Sequence, residues 1–236
     1  FTHCIYNHPK LYIFEGKTVY SLEVNNKQGK VGSQWCLTST TAPIQDFNNL
    51  ANCSVAHKLD IEGKQPLGLF DELALTNISS QKASMFIFVN EQDNQKIIEF
   101  DLNRTQFNEI TVPQGMRINR HAAAVGLPNA SILLTGGISL KDKYAYVNNT
   151  TVLYSPWTNT YQEKTPMSQC RYEHGAVFYK GSVYVVGGRE FYSNSQSYLK
   201  NCEKFNMKTN EWETIPPLNI ARSNPAVCCT NDYIYV

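Results

Sequence analysis

The sequence predicts an all-β fold, a β-propeller of four-stranded antiparallel blades, and three observations carry that expectation. The stretch from Arg171 to Pro217 has a counterpart 51 residues earlier: Arg120 for Arg171, Gly136-Gly137 for Gly187-Gly188, Tyr154 for Phe205, Tyr161 for Trp212, and Pro166-Met167 for Pro217-Leu218. A further step of 51 reaches Arg222, and a period near 50 residues marks an array of supersecondary units. Each unit offers four short β-rich runs, in the clearest one Gly175–Tyr179, Ser182–Val186, Asn201–Asn206 and Glu211–Ile215, joined by turns rich in Gly, Asn, Lys and Pro. No run has the length or the 3.6-residue spacing of a helix. One such sheet cannot bury both of its faces alone, whereas several packed radially around a channel can, leaving only short protected edges.

In chain order, residues 1–66 read as a diverged N-terminal blade or a blade junction. Leu11–Phe14 and Thr18–Val24 alternate as strands around Glu15-Gly16-Lys17, and Ser33–Thr40, with Trp35, reads as a third. The polar stretch Thr41–Gln65 reads as a long insertion or junction. Residues 67–118 form a degraded unit in which Met85–Val89 stands where the Gly-Gly strand belongs and Asn90 replaces the glycines. Its Phe100 and Phe107 repeat the spacing of Phe205 and Trp212, with Phe100 lying 54 residues before Tyr154.

Residues 119–169 form a regular unit. His121–Val125 supplies small residues for a crowded centre, Ile132–Gly137 follows, and Ile138–Asn149, with Lys141, Lys143, Tyr144 and Tyr146, reads as a loop. Residues 170–220 are the clearest unit, with the corresponding loop Arg189–Ser197 carrying Phe191 and Tyr192. Residues 221–236 begin another: Ala226–Thr230, then Tyr233–Val236. The chain is therefore expected to be part of a complete propeller of about six blades. Ring closure by the N-terminal strands, giving about four blades, is the alternative.

The repeated landmarks have physical roles. Paired glycines ending an inner strand suit a backbone that needs positive φ or very close approach to a neighbouring sheet. Phe205 and Trp212 flank the turn Lys208-Thr209-Asn210, which places them on adjacent antiparallel strands where they can wedge between one sheet and the next.

The string VYVVGG from Val183 to Gly188, the later aromatic Phe205, and Trp212 before a proline-rich corner resemble the kelch repeat, and the unit from Arg120 resembles a second copy. The resemblance implies a kelch-type propeller serving as a protein–protein interaction module or scaffold in a larger protein or assembly. A substrate-recognition domain of a ubiquitin-ligase adaptor is an alternative within the same family. A galactose-oxidase-like copper enzyme is a second alternative, and its histidine, tyrosine and cysteine constellation cannot be assembled from this sequence. In kelch propellers ligands meet one end of the channel. Carried over, that implicates Arg189, Tyr144, Tyr146, Phe191 and Tyr192, together with the repeated Arg120, Arg171 and Arg222. A ring of arginines would favour an acidic peptide segment through bidentate, charge-assisted pairing. The repeated arginine could equally tie neighbouring blades by bonding backbone carbonyls, and both readings stand at this point.

Composition narrows the function classes. With 236 residues, 42% hydrophobic and 17% charged, the chain can bury a core. A net charge of +1 gives no field that would draw it to nucleic acid or to an anionic membrane. Its apolar runs are strand-sized, so membrane insertion by a helix is not expected. Cys4, Cys36, Cys53, Cys170, Cys202, Cys228 and Cys229 show no CxxC spacing, which favours reduced thiols and a cytoplasmic location, with cytoskeletal and ciliary settings included. The N-x-S/T sequons at Asn52, Asn77, Asn103, Asn129, Asn148 and Asn149 are the competing signal. No GxSxG, P-loop, GxGxxG or HExxH is present, so neither catalysis nor a cofactor is expected. His3, Cys4 and His8 cluster without a recognised metal spacing, and His121 and His174 read as structural.

Overall fold

The computed structural model describes residues 3–7, 10–15, 18–23, 36–38, 53–59 and 83–236, save 92–93, 102–103, 142–143, 193–194 and 231. Side chains are described from Ser84 onward, save at Glu91, Lys141, Tyr192, Ser195 and Gln196. The side chains of His3 and Cys4, residue His8, the stretch 60–82 and the sequons at Asn52, Asn77 and Asn103 lie outside this description.

Strands β1 (His3–Asn7), β2 (Lys10–Glu15), β3 (Thr18–Glu23) and β4 (Cys36–Thr38) make a four-stranded antiparallel meander. A second meander contains β5 (Cys53–Leu59), β6 (Ala83–Glu91), β7 (Asn94–Asp101) and β8 (Gln106–Ile110). Its first strand precedes the boundary expected at residue 67. No glycine pair follows its partner β6 to mark the unit, and Cys53–Leu59 lies inside the stretch read as an insertion.

Two further sheets follow the repeat. One is built of β9 (Ala123–Gly126) and β10 (Ile132–Thr135), then, after a ribbon of β11 (Ile138–Lys141) and β12 (Tyr144–Val147), of β13 (Thr151–Ser155) and β14 (Thr160–Lys164). The other has β15 (Gly175–Tyr179) and β16 (Ser182–Val186), the ribbon β17 (Arg189–Tyr192) and β18 (Ser195–Tyr198), then β19 (Cys202–Asn206) and β20 (Glu211–Ile215). A last pair, β21 (Cys228–Cys229) and β22 (Ile234–Tyr235), begins another unit. The two stretches expected as loops are thus hairpins. Ile138 pairs with Val147 and Arg189 with Tyr198, so the β-prone residues in each stretch hold one another. Among the described residues no helix is long and apolar enough to cross a membrane.

Strand β9 packs between β5 and β15, and β15 in turn meets β21, so the first strands of successive sheets are neighbours. The core lies between sheets. Phe86, Phe88 and Ile97 of one sheet pack with Ile132, Leu134 and Tyr154 of the next. On the opposite face of that second sheet, Val125 and Leu133 pack with Val183, Val185 and Phe205 of the third. This alternation follows from the two-residue period of a strand: neighbouring residues Leu133 and Leu134 feed different cores.

All three aromatic pairs meet as expected. Phe100 pairs with Phe107, Tyr154 with Tyr161 and Phe205 with Trp212, with ring centroids 4.7 Å apart in the first pair and 5.0 Å in the last. Trp212 also reaches the preceding sheet, where its Nε1 donates to Thr165 O at 2.8 Å and Thr151 Oγ1 at 3.2 Å.

Candidate functional site

The segments that lead into each first strand, 117–122, 168–174 and 219–225, share one end of the sheets with the two ribbons. The glycine pairs lock these segments in place. Gly136 and Gly187 have φ of 62° and 61°, and a Cβ on them would stand 2.4 Å from Arg171 O and 2.5 Å from Arg222 O. The amides of Gly137 and Gly188 donate to those same carbonyls at 2.8 and 2.9 Å. Each glycine pair therefore closes on the backbone of the arginine that opens the next blade. Asn90, which stands in for the pair one blade earlier, also reaches the segment that opens the next blade, donating its side-chain Nδ2 to Ile118 O at 2.6 Å.

Arg171 is not a ligand-facing residue, which corrects its assignment to the candidate binding face. It is fully buried, and its guanidinium donates to Gly187 O at 2.8 Å, to Asn201 O at 2.9 Å and to Glu203 Oε1 at 2.7 Å. The Glu203 carboxylate also accepts the amides of Ser168 at 2.8 Å and Gln169 at 3.4 Å. Arg171 is thus tied by its backbone to the preceding blade and by its side chain to its own, which is the carbonyl-tying alternative realised.

Arg120 is not its equivalent, despite the shared offset. The β9–β10 connection beyond the Leu127–Ser131 pairing holds Pro128, Asn129 and Ala130, whereas β15 and β16 are joined by Lys180 and Gly181 alone. That extra residue shifts the register by one. Arg120 pairs with Ile138 as Tyr172 pairs with Arg189, so Arg171 corresponds to Asn119. The shorter Asn119 repeats part of the pattern, donating to Gly136 O at 2.8 Å and Thr150 Oγ1 at 3.0 Å. Val152 stands where Glu203 stands one blade later. A cavity of about 10 Å³, room for about one water, remains among Asn119, Gly136, Thr150 and Val152.

The functional candidates are the residues just beyond these joints. His121, Glu173 and Asn224 occupy equivalent places in three successive units with φ of 54°, 51° and 50°. That left-handed conformation costs an L-residue about 1 kcal/mol or more and concentrates at functional sites. The amide of Glu173 donates to His121 O at 3.1 Å and that of Asn224 to Glu173 O at 2.6 Å, which strings the three together from blade to blade. Their side chains continue the chain: His121 Nδ1 lies 3.5 Å from Glu173 Oε1, Glu173 Oε2 lies 3.1 Å from Arg189 Nε, and Arg189 Nε donates to Ser223 Oγ at 3.0 Å.

The Tyr172 ring sits between those of His121 and Phe191, 5.9 Å from each, and the Arg189 guanidinium covers the Tyr198 ring at 5.0 Å. Burial holds the His121 pKa below the ordinary histidine value. Glu173 opposes that effect, and Arg120 and Arg189 add to it, so both cations act on this imidazole. Beneath the cluster, His174 is buried, shares a 2.8 Å hydrogen bond with Thr135 Oγ1 across the blade joint, and is pushed down to about 3 by burial and by Arg171.

The expected binding residues therefore divide. Arg189 and Phe191 join the cluster. Arg120 borders it, with its Nε buried and without a hydrogen-bond partner among the described residues. Arg222 is exposed, and its NH1 group donates to Val236 O at 3.4 Å. Tyr144 and Tyr146 are 70% and 50% exposed but alternate to the face of their ribbon opposite Ile138 and Arg120. Tyr192 ends β17. Sequence reasoning missed His121, Tyr172 and Glu173 as a group. Their signal was local: the residues that follow the repeated arginine and its counterpart, in place before a small-residue strand.

Comparison with known proteins supplies the family of this fold. A Kelch motif profile matches residues 170–219. The chain carries the kelch repeat. Kelch-like protein 23 of Mus musculus is 41% identical over 83 residues, which cover 34% of this chain and 14% of that protein. Kelch-like protein 36 of Rattus norvegicus is 24% identical over 139 residues, covering 59% of this chain and 21% of that one. The chain thus spans between 14% and 21% of the length of these kelch relatives. The solved structure of YjhT superposes with a TM-score of 0.62 over 96% of this chain and 73% of its own, at 13% identity, a likeness of fold alone.

Proposed function

We propose that this chain is the propeller portion of a protein–protein interaction module or scaffold, and that the end bearing His121, Tyr172, Glu173, Arg189 and Phe191 receives the partner. The observation that carries this reading is the coincidence, at one end of three successive units, of left-handed backbone at non-glycine residues, aromatic rings and a chain of side-chain contacts that runs from His121 through Glu173 and Arg189 to Ser223 across two blade joints. Aromatic residues and arginine are enriched where interfaces bind strongly, and rigid backbone positions them at low entropic cost. Two arginines against one glutamate favour an acidic partner segment.

The relatives named Kelch-like protein support a narrower version, in which the propeller is the substrate-recognition part of a ubiquitin-ligase adaptor in the cytoplasm, cytoskeletal and ciliary assemblies included. The reading is non-catalytic. Among the described residues no three His, Cys, Asp or Glu side chains gather closely enough to hold a metal ion. The test is cross-linking of the protein in its native cell followed by mass spectrometry, with Arg120→Ala/Arg189→Ala beside the wild type. Partners that depend on both arginines support the reading, and an identical partner set with both sequences refutes it.

A further inference from the structure

The cation that sequence reasoning offers to an acidic partner is already engaged. Arg189 Nε faces the chain's own carboxylate, Glu173 Oε2, at 3.1 Å, and its side chain is 28% exposed while that of Glu173 is 21% exposed. The contact is therefore accessible from solvent. Glu173 does not need this contact to hold its place. Its backbone is fixed from both sides, by His121 O accepting its amide and by Asn224 donating to its carbonyl. Its side chain hangs from that fixed point, shared between His121 and Arg189. Arg120, by contrast, is partly exposed and forms no ion pair among the described residues.

We infer that Glu173 is a built-in stand-in for a partner's carboxylate. It holds Arg189 in the free protein, and an acidic segment that docks first at Arg120 must displace it to gain Arg189. This rests on the acidic-segment reading above. The consequence is selectivity: a segment with one carboxylate meets only Arg120, whereas one with two suitably spaced carboxylates exchanges one ion pair for another and is held at both ends. A contact made in the free state and broken in the bound state lowers affinity for every segment that must break it, so its removal tightens the binding of such segments.

The experiment is fluorescence anisotropy of a labelled hexaglutamate peptide titrated with the 236-residue chain at low ionic strength. Glu173→Gln is isosteric and leaves the backbone bonds in place, and Glu173→Ala repeats the test should the glutamine variant fold poorly. The expected result is that Glu173→Gln tightens binding about fivefold. Arg120→Ala weakens it about tenfold or more. The pair Glu173→Gln/Arg189→Ala loses the gain. Glu190→Gln on the opposite face of β17 changes affinity less than about twofold, which separates a local effect from a change in net charge. If Glu173→Gln binds no tighter than the wild type, if the gain survives loss of Arg189, or if Glu190→Gln matches it, the stand-in is overturned while the acidic-segment reading survives. If hexaglutamate binding is absent, or indifferent to both Arg120 and Arg189, the acidic-segment reading itself fails, and the inference with it.

Discussion

Arg171 provides the sharpest test of how the blades are joined. Replacing it with alanine removes two bonds to backbone carbonyls and one to Glu203, and leaves that carboxylate 2% exposed with, among the described residues, the Ser168 and Gln169 amides to hold its charge. Breaking a buried ion pair by deleting one partner costs about 3–5 kcal/mol. In a chain of this size about 1 kcal/mol moves the melting temperature by about 2–4 °C, so a fall of about 6–20 °C is expected for Arg171→Ala by calorimetry. Arg171→Met/Glu203→Leu should recover most of that loss, because an apolar pair of similar volume avoids the desolvation of two charges. A ligand-facing arginine would behave in the opposite way, losing binding and keeping stability. An Arg171→Ala protein that melts within a degree of the wild type, or a double variant worse than the single, would refute the buried latch.

Three other outcomes follow from the same geometry. Gly187→Ala should unfold the blade joint, since its Cβ would meet Arg222 O at 2.5 Å. Gly181→Ala, at φ of 82° with nothing within 4 Å, should cost only about 1 kcal/mol in urea titration. His174 is neutral in the folded chain, with its pKa near 3, and gains a proton on unfolding below the ordinary value of about 6.5. Its contribution is therefore fully present above about pH 7 and lost as pH falls, amounting to about 2 kcal/mol by pH 5, and His174→Gln should flatten that slope in urea titrations at several pH values. Val152→Glu alone should destabilise the preceding blade, and Asn119→Arg should rescue it by rebuilding the Arg171–Glu203 arrangement over the small cavity. A double-mutant cycle reading a coupling of about 1 kcal/mol or more confirms that correspondence, and additivity rejects it.

The repeat was legible because its landmarks are steric. Paired glycines at positive φ and aromatics that must meet across a turn leave few substitutes, so the four strands of the main sheet between Gly175 and Ile215 could be read to within a residue. β5 was not legible, because Cys53–Leu59 carries no such constraint and its pairing partner β6 starts at Ala83. The ribbons were read as loops, since Asp142-Lys143 and the polar run after Tyr192 look like connectors when their cross-strand partners are unknown.

The arginine series shows a subtler limit. A constant offset of 51 equates Arg120 with Arg171, and only the one-residue difference between the turns at 128–130 and 180–181 shows that Asn119 takes the place of Arg171. For the candidate site, Arg189 and Phe191 were within reach of sequence reasoning. The link from His121 through Glu173 to Arg189 was not, because it joins residues of two blades that only the fold brings together.

The central claim is that the partner meets the end of the sheets where the joints and ribbons lie. Hydrogen–deuterium exchange of the chain, alone and bound to the partner recovered by cross-linking, tests it directly. The expected result is new protection in 119–122, 170–174, 189–192 and 221–224, with β14 and β20 unchanged. Protection confined to β14 and β20, with those four segments exchanging as in the free chain, would contradict the account.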